Sequence, residues 1–360
     1  MPDPRNVAIV GAGIGAAHFR AYRALPERFA VHTICELDPE RAAPLIAESP
    51  DTVLASDLSA VLADPAIDIV DVCLPPHLHL DACIDALKAG KHVICEKPLV
   101  TSLRAADRLQ EIATQTGGQV FPVFQYRFGR GAAALRALID AGTTGKPYVA
   151  SLETHWNRGA AYYDVAWRGT WAGEQGGAVL GHAIHIHDWL SFILGPVASV
   201  HAALATRVND IEVDDCAALS IRMESGALVT SSVTLGAATD TSRLRFCFEG
   251  LTAESGTAPY APAEDEWTFT ARAPLGQESV DQVLASVPEE KSGFAGLFTA
   301  VADALDGAPG RAVTLQDGRR SVEFVTAVYA SARSGAPVSL PLAPDHPLYG
   351  GWLPDASGCR

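Results

Sequence analysis

A chain of 360 residues is longer than one ordinary hydrophobic core, so its length implies two domains. A formal net charge of −15, with no cluster of Lys and Arg, excludes a phosphate-binding surface for nucleic acid or anionic membrane and points to a small-molecule partner. Seven scattered cysteines without a C-x-x-C pair exclude a disulfide framework or zinc ribbon and suit reduced thiols used as small core residues.

The opening stretch MPDPRNVAIVGAG passes into a strand with no signal-peptide core, and no apolar run reaches the roughly 20 residues of a membrane span, so no membrane partner and a cytoplasmic location are expected. Val7 to Val10 is a short β-branched run of the kind buried in parallel sheets. It leads into GAGIGAAHFRAY, where Gly11, Gly13 and Gly15, with Ile14 between them, open a helical pattern. Glycines at such a turn let the backbone approach a pyrophosphate while the helix N-terminus faces the negative charge. The spacing is G-x-G-x-G, one residue shorter than G-x-G-x-x-G. Phe29 to Cys35 reads as a second strand ending at Glu36, where dinucleotide-binding folds place a carboxylate on the adenosine ribose. That carboxylate repels a 2′-phosphate, so Glu36 favours NAD over NADP. Asp38 competes for the same role.

Helices near Arg41 to Glu48, Leu58 to Ala63 and His79 to Ala89 alternate with strands in IDIVDVCLP and KHVICEKP, the pattern of parallel β-α-β units. Ligands of such sheets lie at the carboxyl ends of the strands, where Pro75, Pro76, His79, Glu96, Lys97 and Pro98 fall. A lysine there, beside a cationic nicotinamide ring, exchanges a proton if burial and that charge lower its pKa. The alternative is a surface salt bridge with Glu96.

Beyond VFPVFQYRF come a helix over Gly131 to Ala141 and a strand in GKPYVASLETHWN. Aromatic and polar residues then crowd THWNRGAAYYDVAWRGTW, a composition suited to stacking on sugar faces, with His155, Trp156, Arg158 and Tyr163 as candidate contacts and a place in the core as the alternative for each. In GGAVLGHAIHIHDWLSFILG, Val179, Ala183, Ile186, Leu190 and Ile193 have helical spacing, and Gly195-Pro196 stops the helix. His182, His185 and Asp188 or Trp189 then share a face while His187 points largely away. No H-E-x-x-H or second ligand cluster accompanies them, so no metal is expected. Two histidines on one face suit hydrogen bonding and proton exchange with a substrate hydroxyl, with Asp188 setting the tautomer of His185. Strand alternation recurs in CAALSIRM, ALVTSSVTL and SRLRFCFEG, with Glu224-Ser225-Gly226 as a hairpin turn. The apolar face of such a sheet needs cover from helices on one side and another subunit on the other. Residues 251 to 290 show no clear period beyond a strand at Glu266 to Ala271, and helices close the chain near Gly293 to Leu305 and Gln316 to Ser334.

GAGIGAAH, LPPHLHLDACIDALKAGKHVICEKPL, QYRF and WRGTW with its following GG and H-x-x-D together resemble the Gfo/Idh/MocA family, nearly end to end. The resemblance implies an N-terminal Rossmann domain, here residues 1–122, and a C-terminal domain with an open-faced, mostly antiparallel sheet, here 123–360. It implies NAD- or NADP-dependent oxidation or reduction of a sugar, inositol or related polyol, and homodimers or homotetramers formed through that sheet. Its EKP lysine falls on Lys97 and the histidine of its D-x-x-x-H pattern on His185, while Gly181 stands where that pattern has an aspartate. Through the motifs, Leu74, Pro75, His79, Glu96, Lys97 and Gln125 join the glycine turn and Glu36 as cofactor contacts, and Tyr126 and Arg127 join the substrate contacts. His182 is the candidate replacement for the absent aspartate. Whether Lys97 or His185 is the base stays open, because the two titrate as a coupled pair. Dehydrogenation of a secondary carbinol is the expected reaction. NAD-dependent glycoside cleavage and a catalytically silent NAD(H) sensor are the alternatives.

Overall fold

The computed structural model describes residues 3–308 and 310–354. In chain order these form β1 (Arg5–Val10), α1 (Ala12–Arg23), β2 (Phe29–Cys35), α2 (Pro39–Glu48), β3 (Val53–Ala55), α3 (Leu58–Ala63), β4 (Ile69–Val72), α4 (His79–Lys88), β5 (His92–Cys95), α5 (Leu103–Thr116), β6 (Val120–Pro122), α6 (Arg130–Asp140) and β7 (Pro147–Asn157). They continue as α7 (Ala160–Tyr163), α8 (Ala178–Gly181), α9 (Ile184–Leu194), β8 (Val197–Ala205), β9 (Cys216–Met223), β10 (Leu228–Thr234), β11 (Gly236–Phe248), β12 (Leu251–Ser255), β13 (Trp267–Ala271), α10 (Gln277–Ala285), α11 (Gly293–Leu305), α12 (Leu315–Ser334) and β14 (Val338–Ser339). Two compact units result. One is the chain up to Phe124 with Phe294–Val322, and the other is Gln125–Gly293 with the chain from Glu323 on. No helix among the described residues is long and apolar enough to cross a membrane.

The first unit is a Rossmann fold: a six-stranded sheet in the order β3-β2-β1-β4-β5-β6, parallel throughout. Its central strands are covered on both faces, which is why Val7, Ile9, Ile69 and Val70 read as unbroken apolar runs rather than alternating ones. Gly11 has φ +103°, and a Cβ there would lie 2.5 Å from the Cys73 carbonyl oxygen. Gly15 has a Cβ position 2.7 Å from Ile9 Cγ2, so α1 lies against β1 at a distance that only glycine permits.

That close approach brings His18, wholly buried, into a polar network in the sheet. Its Nδ1 is 2.8 Å from Asp71 Oδ2 and its Nε2 is 3.2 Å from Glu96 Oε1, while the Tyr22 hydroxyl donates to Asp71 at 2.9 Å. Phe294 and Phe298 of α11 cover the imidazole at ring-centroid distances of 4.6 and 5.3 Å, and Phe298 stacks on Tyr22 at 4.0 Å. This packing draws 294–322 into the first unit. A division at residue 122 omits that return, because the apolar period of α11 does not say which core it fills.

The second unit carries an eight-stranded sheet in the order β13-β12-β11-β7-β10-β9-β8-β14, with β7 and β10 parallel and the other pairs antiparallel. Alternation along β7 buries Ala150, Leu152, Thr154 and Trp156 on one face and turns Ser151, Glu153 and His155 to the other. α8 and α9 pack on the buried side. The open side is mixed, with Val149 and Leu228 exposed beside Ser151 and Thr230, Arg243 paired to Glu153, and a shallow depression of about 390 Å³ among Ser151, Glu153, His201, Ser220, Thr230 and Ser232. Residues 251–290, aperiodic in sequence beyond one strand, hold β12, β13 and α10.

Burial alone would push the His18 pKa down, but the charge of Asp71 and its hydrogen bond outweigh this and raise it well above the usual 6.5. A raised folded-state pKa contributes stability that is complete below the unfolded value of about 6.5 and is lost as pH rises through the folded value. His18→Gln should cost about 1–3 kcal/mol near pH 6, the usual range for disrupting a buried polar pair. The difference in Tm from the parent should shrink steadily on going to pH 10. A difference that grows with pH would contradict a protonated His18.

Candidate active site

The turn after β1 is bare on its outer side. A Cβ on Gly13 would meet nothing within 4 Å, and Ile14 is exposed. Glu36 reaches this turn from the end of β2: its Oε2 accepts the Ala12 N–H at 2.7 Å and its Oε1 accepts the Asp38 N–H at 3.1 Å. Asp38 instead caps α2 by accepting the Glu40 N–H at 3.1 Å, which leaves the rim of the turn to Glu36. Ala16 completes the longer spacing, G-x-G-x-x-A, and the close helix–strand contact falls to Gly15. A bare turn, a helix N-terminus and a strand-end carboxylate at its rim fit a dinucleotide.

At the ends of β4 and β5, the residues expected among the cofactor contacts have different burdens. His79 is wholly buried, with its ring nitrogens 2.7 and 2.8 Å from the Leu74 and Pro98 carbonyl oxygens, and burial lowers its pKa. It clasps the turn after β4 to the turn after β5. Leu74 and Pro75 are half-buried in the first of those turns. Glu96 faces inward to His18, and its Oε2 accepts the Lys97 N–H at 3.0 Å, so it anchors the Lys97 backbone. Lys97 is half-buried and precedes Pro98 through a cis peptide bond.

The expectation of no metal meets one further observation in this unit. Donor atoms of His18, Asp71 and Cys73 lie within 4.8 Å of one another. Cys73 Sγ is 3.4 Å from His18 Nδ1 and 3.6 Å from Asp71 Oδ1, so the trio forms a hydrogen-bonded network in which burial pushes the thiol up to about 12.

In the second unit the helix expected from Gly177 to Leu194 is two helices. Asp214 pins the start of α8, accepting the Gly177 and Val179 N–H groups at 3.2 and 3.0 Å, while the Tyr329 hydroxyl donates to it at 2.7 Å. Gly181, a weak helix former, ends α8, and His182 has φ −123° and ψ −57° before α9 begins. The three histidines therefore diverge more than a single helix allows. His182 packs edge-on against Trp156 at 5.3 Å and lies 5.6 Å from Tyr162, while His185 stacks on Tyr126 at 4.4 Å. His187 turns to Ser231 Oγ at 2.9 Å beside Phe324, and burial lowers its pKa to about 3, which makes it a neutral structural residue.

Around His182 and His185 the unit gathers Tyr126, Trp156, Tyr162 and Tyr260. Arg158 lies over Trp156 at 4.9 Å and over Tyr162 at 5.4 Å, donating to Asp240 at 2.9 Å and to the Tyr260 hydroxyl at 2.7 Å. Tyr163 sits edge-on to Tyr162 at 5.0 Å. Of the expected substrate contacts, Tyr126, Trp156, Arg158, Tyr163, His182 and His185 thus come together. His155 does not: the strand period of two sends it to the open face, where its Nε2 is 2.9 Å from Ser232 Oγ. Arg127 is buried and donates to both carboxylate oxygens of Asp188 at 2.7 and 2.5 Å, binding the turn at Gln125–Arg127 to α9. Asp188, expected to set the His185 tautomer, carries that ion pair. Tyr162, Tyr260 and Asp240 escaped the sequence reading. Tyr162 lay in the aromatic crowd beside Tyr163, whereas Tyr260 and Asp240 are distant in sequence and carry no local signal.

Residues 5–124 match the family model described as "Oxidoreductase family, NAD-binding Rossmann fold", and residues 132–254 match the "GFO/IDH/MocA C-terminal domain". The chain belongs to the Gfo/Idh/MocA oxidoreductase family. It is 28% identical over 215 residues to levoglucosan dehydrogenase of Pseudarthrobacter phenanthrenivorans, covering 57% of this chain and 55% of that protein. It is 27% identical over 229 residues to myo-inositol 2-dehydrogenase of Thermotoga maritima, covering 62% and 66%. The matched part thus spans less than two thirds of either relative. Among solved structures, the WlbA dehydrogenase of Bordetella pertussis, in complex with NADH and UDP-GlcNAcA, superposes with a TM-score of 0.83 at 28% identity, covering 94% of this chain and 100% of that one.

Proposed function

We propose that this chain is an NAD-dependent oxidoreductase that transfers a hydride between nicotinamide and a secondary hydroxyl or ketone of a sugar, glycoside, inositol or related polyol. The observation that carries the reading is the second unit's aromatic cluster, which holds two buried histidines and an arginine, in a chain whose first unit has a dinucleotide turn rimmed by Glu36. The curated relatives, dehydrogenases of an anhydrosugar and a cyclitol, support the substrate class. Nicotinamide, when bound, supplies the hydride acceptor or donor at its C4. Gly11, Gly13, Ile14 and Gly15 with the start of α1 would hold the pyrophosphate, and Glu36 would hold the adenosine ribose hydroxyls. Lys97 and His185 hold and move the proton of the reacting hydroxyl as a coupled pair. Tyr126, Trp156 and Tyr162 wall the substrate site and hold the histidines in place, and Arg158 orients the oxygens of the sugar. The same reading has two or four chains assembled through the open face of the second unit's sheet, whose Ser, Thr and Ala side chains permit close approach.

Glu36 should make NAD preferred over NADP by at least about tenfold in kcat/KM, roughly 1.4 kcal/mol, and Glu36→Ala should narrow the gap. Equal use of both cofactors by the parent would remove that role from Glu36. Lys97→Met should leave NADH binding intact and lower turnover by about 10²-fold or more, and His185→Ala should do the same. Because both act on one proton, the double variant should lose much less than the product of the single losses. Near-normal turnover in Lys97→Met would contradict the mechanism.

A further inference from the structure

Gly181 ends α8 one residue before His182 and carries no side chain. A Cβ built there would have a single neighbour within 4 Å, the Glu174 Oε1 at 3.5 Å. The space in front of this bare position is thus filled by a carboxylate from a different segment of the chain. Glu174 is buried, and its other oxygen accepts the Gly169 N–H at 2.7 Å, so the group is fixed rather than solvated.

The loop that presents Glu174 is built for it. Gly169 has φ +71°, and a Cβ on Gly173 would fall 2.3 Å from the Trp167 carbonyl oxygen. Gln175, the next residue, holds φ +66°, a conformation that costs a non-glycine residue about 1–3 kcal/mol. Three contacts hold it there: its Nε2 donates to the Ala172 and Trp171 carbonyls at 2.7 and 3.2 Å, and its own carbonyl accepts the Trp352 indole N–H at 2.7 Å. The carboxylate also faces the aromatic cluster. Its charge, after burial, raises the pKa of Tyr162 and Tyr163, and the Tyr162 ring lies 5.6 Å from that of His182.

The charged groups around His182 number both signs. Arg158 and Arg168 stand over Tyr162 at 5.4 and 3.9 Å, and Arg158 is matched by Asp240. Tyr260 donates to Asp240 as well, so that carboxylate is occupied. Glu174 is the acid beside Gly181, the residue that precedes the histidine.

We infer that Glu174 supplies from the preceding loop the carboxylate that α8 lacks at Gly181, and is a positioning residue that fixes the orientation and the proton of His182 against the substrate hydroxyl. This rests on the dehydrogenase reading of the same site. An aspartate at 181 would bring a second negative charge close to Glu174, whose Oε1 lies 3.5 Å from the Cβ position.

The test moves the carboxylate and reads the imidazole directly. In protein labelled with ¹³C at histidine Cε1, with the His182 signal assigned through His182→Gln, Glu174→Gln should move the titration of His182 to lower pH, and Glu174→Ala/Gly181→Asp should move it back. Turnover should follow the same order. Glu174→Gln should lower kcat/KM by about ten- to hundredfold, less than a group that transfers the proton itself, with NADH affinity and Tm close to the parent. The relocated aspartate should recover most of the loss, and Gly181→Asp alone should impair the enzyme. An unchanged His182 titration in Glu174→Gln, or a loss that the relocated aspartate does not restore, would overturn the inference. Failure of the underlying reading has a different signature: parent protein without turnover, or turnover indifferent to Lys97→Met.

Discussion

The first unit depends on one buried group. His18 lies between Asp71 at the end of β4 and Glu96 at the end of β5, at 2.8 and 3.2 Å, and so fastens α1 across two strands. Charges this deep are stabilising only when each has a partner, and the network supplies one on both sides of the ring. Its consequences run outward in two directions. Along α1 it holds the helix start, and with it the glycine turn, above the sheet. Through Glu96 it reaches the backbone N–H of Lys97 at 3.0 Å. The residues assigned to the pyrophosphate and to proton exchange are therefore two ends of one frame. The frame exists only because Gly15 lets α1 approach Ile9 and because the phenylalanines of α11 close it from solvent.

The second unit obeys a different constraint, the alternation of a sheet covered on one face. The period that buries Trp156 beneath the helices puts His155 on the opposite side. Aromatic residues from the 126 turn, β7, the 160–163 helix and the 260 segment then meet around α8 and α9, while the outer face mixes polar, charged and exposed apolar side chains. Ion pairs such as Arg127 with Asp188 and Arg158 with Asp240 anchor the irregular segments that this crowding requires.

Much of the first unit was legible because its signals are local. A buried parallel strand is a continuous apolar run, a dinucleotide turn is a glycine cluster between strand and helix, and Glu36 follows at a set distance. The place of α11 was not legible, since its apolar stripe fits any core and only the ring of His18 selects one. In the second unit, helical spacing concealed the break at His182, because Val179, Ala183 and Ile186 are buried on either side of it and the cap on α8 comes from Asp214. The opposite faces of His155 and Trp156 were written in the strand period. Tyr260, Asp240 and Glu174 were not, because their meeting with the histidines is made by loops whose conformations rest on tertiary contacts such as Trp352 with Gln175.

In the proposed reaction a carbon-bound hydrogen of a sugar or cyclitol leaves as hydride for nicotinamide. It is tested most directly by mass spectrometry of the NADH formed from NAD and a substrate carrying deuterium at the oxidised carbinol carbon. The account predicts a single deuterium in each NADH, with the ketone as the other product. NADH without label, or sugar cleaved with no net NADH and the label returned to the product, would contradict net dehydrogenation.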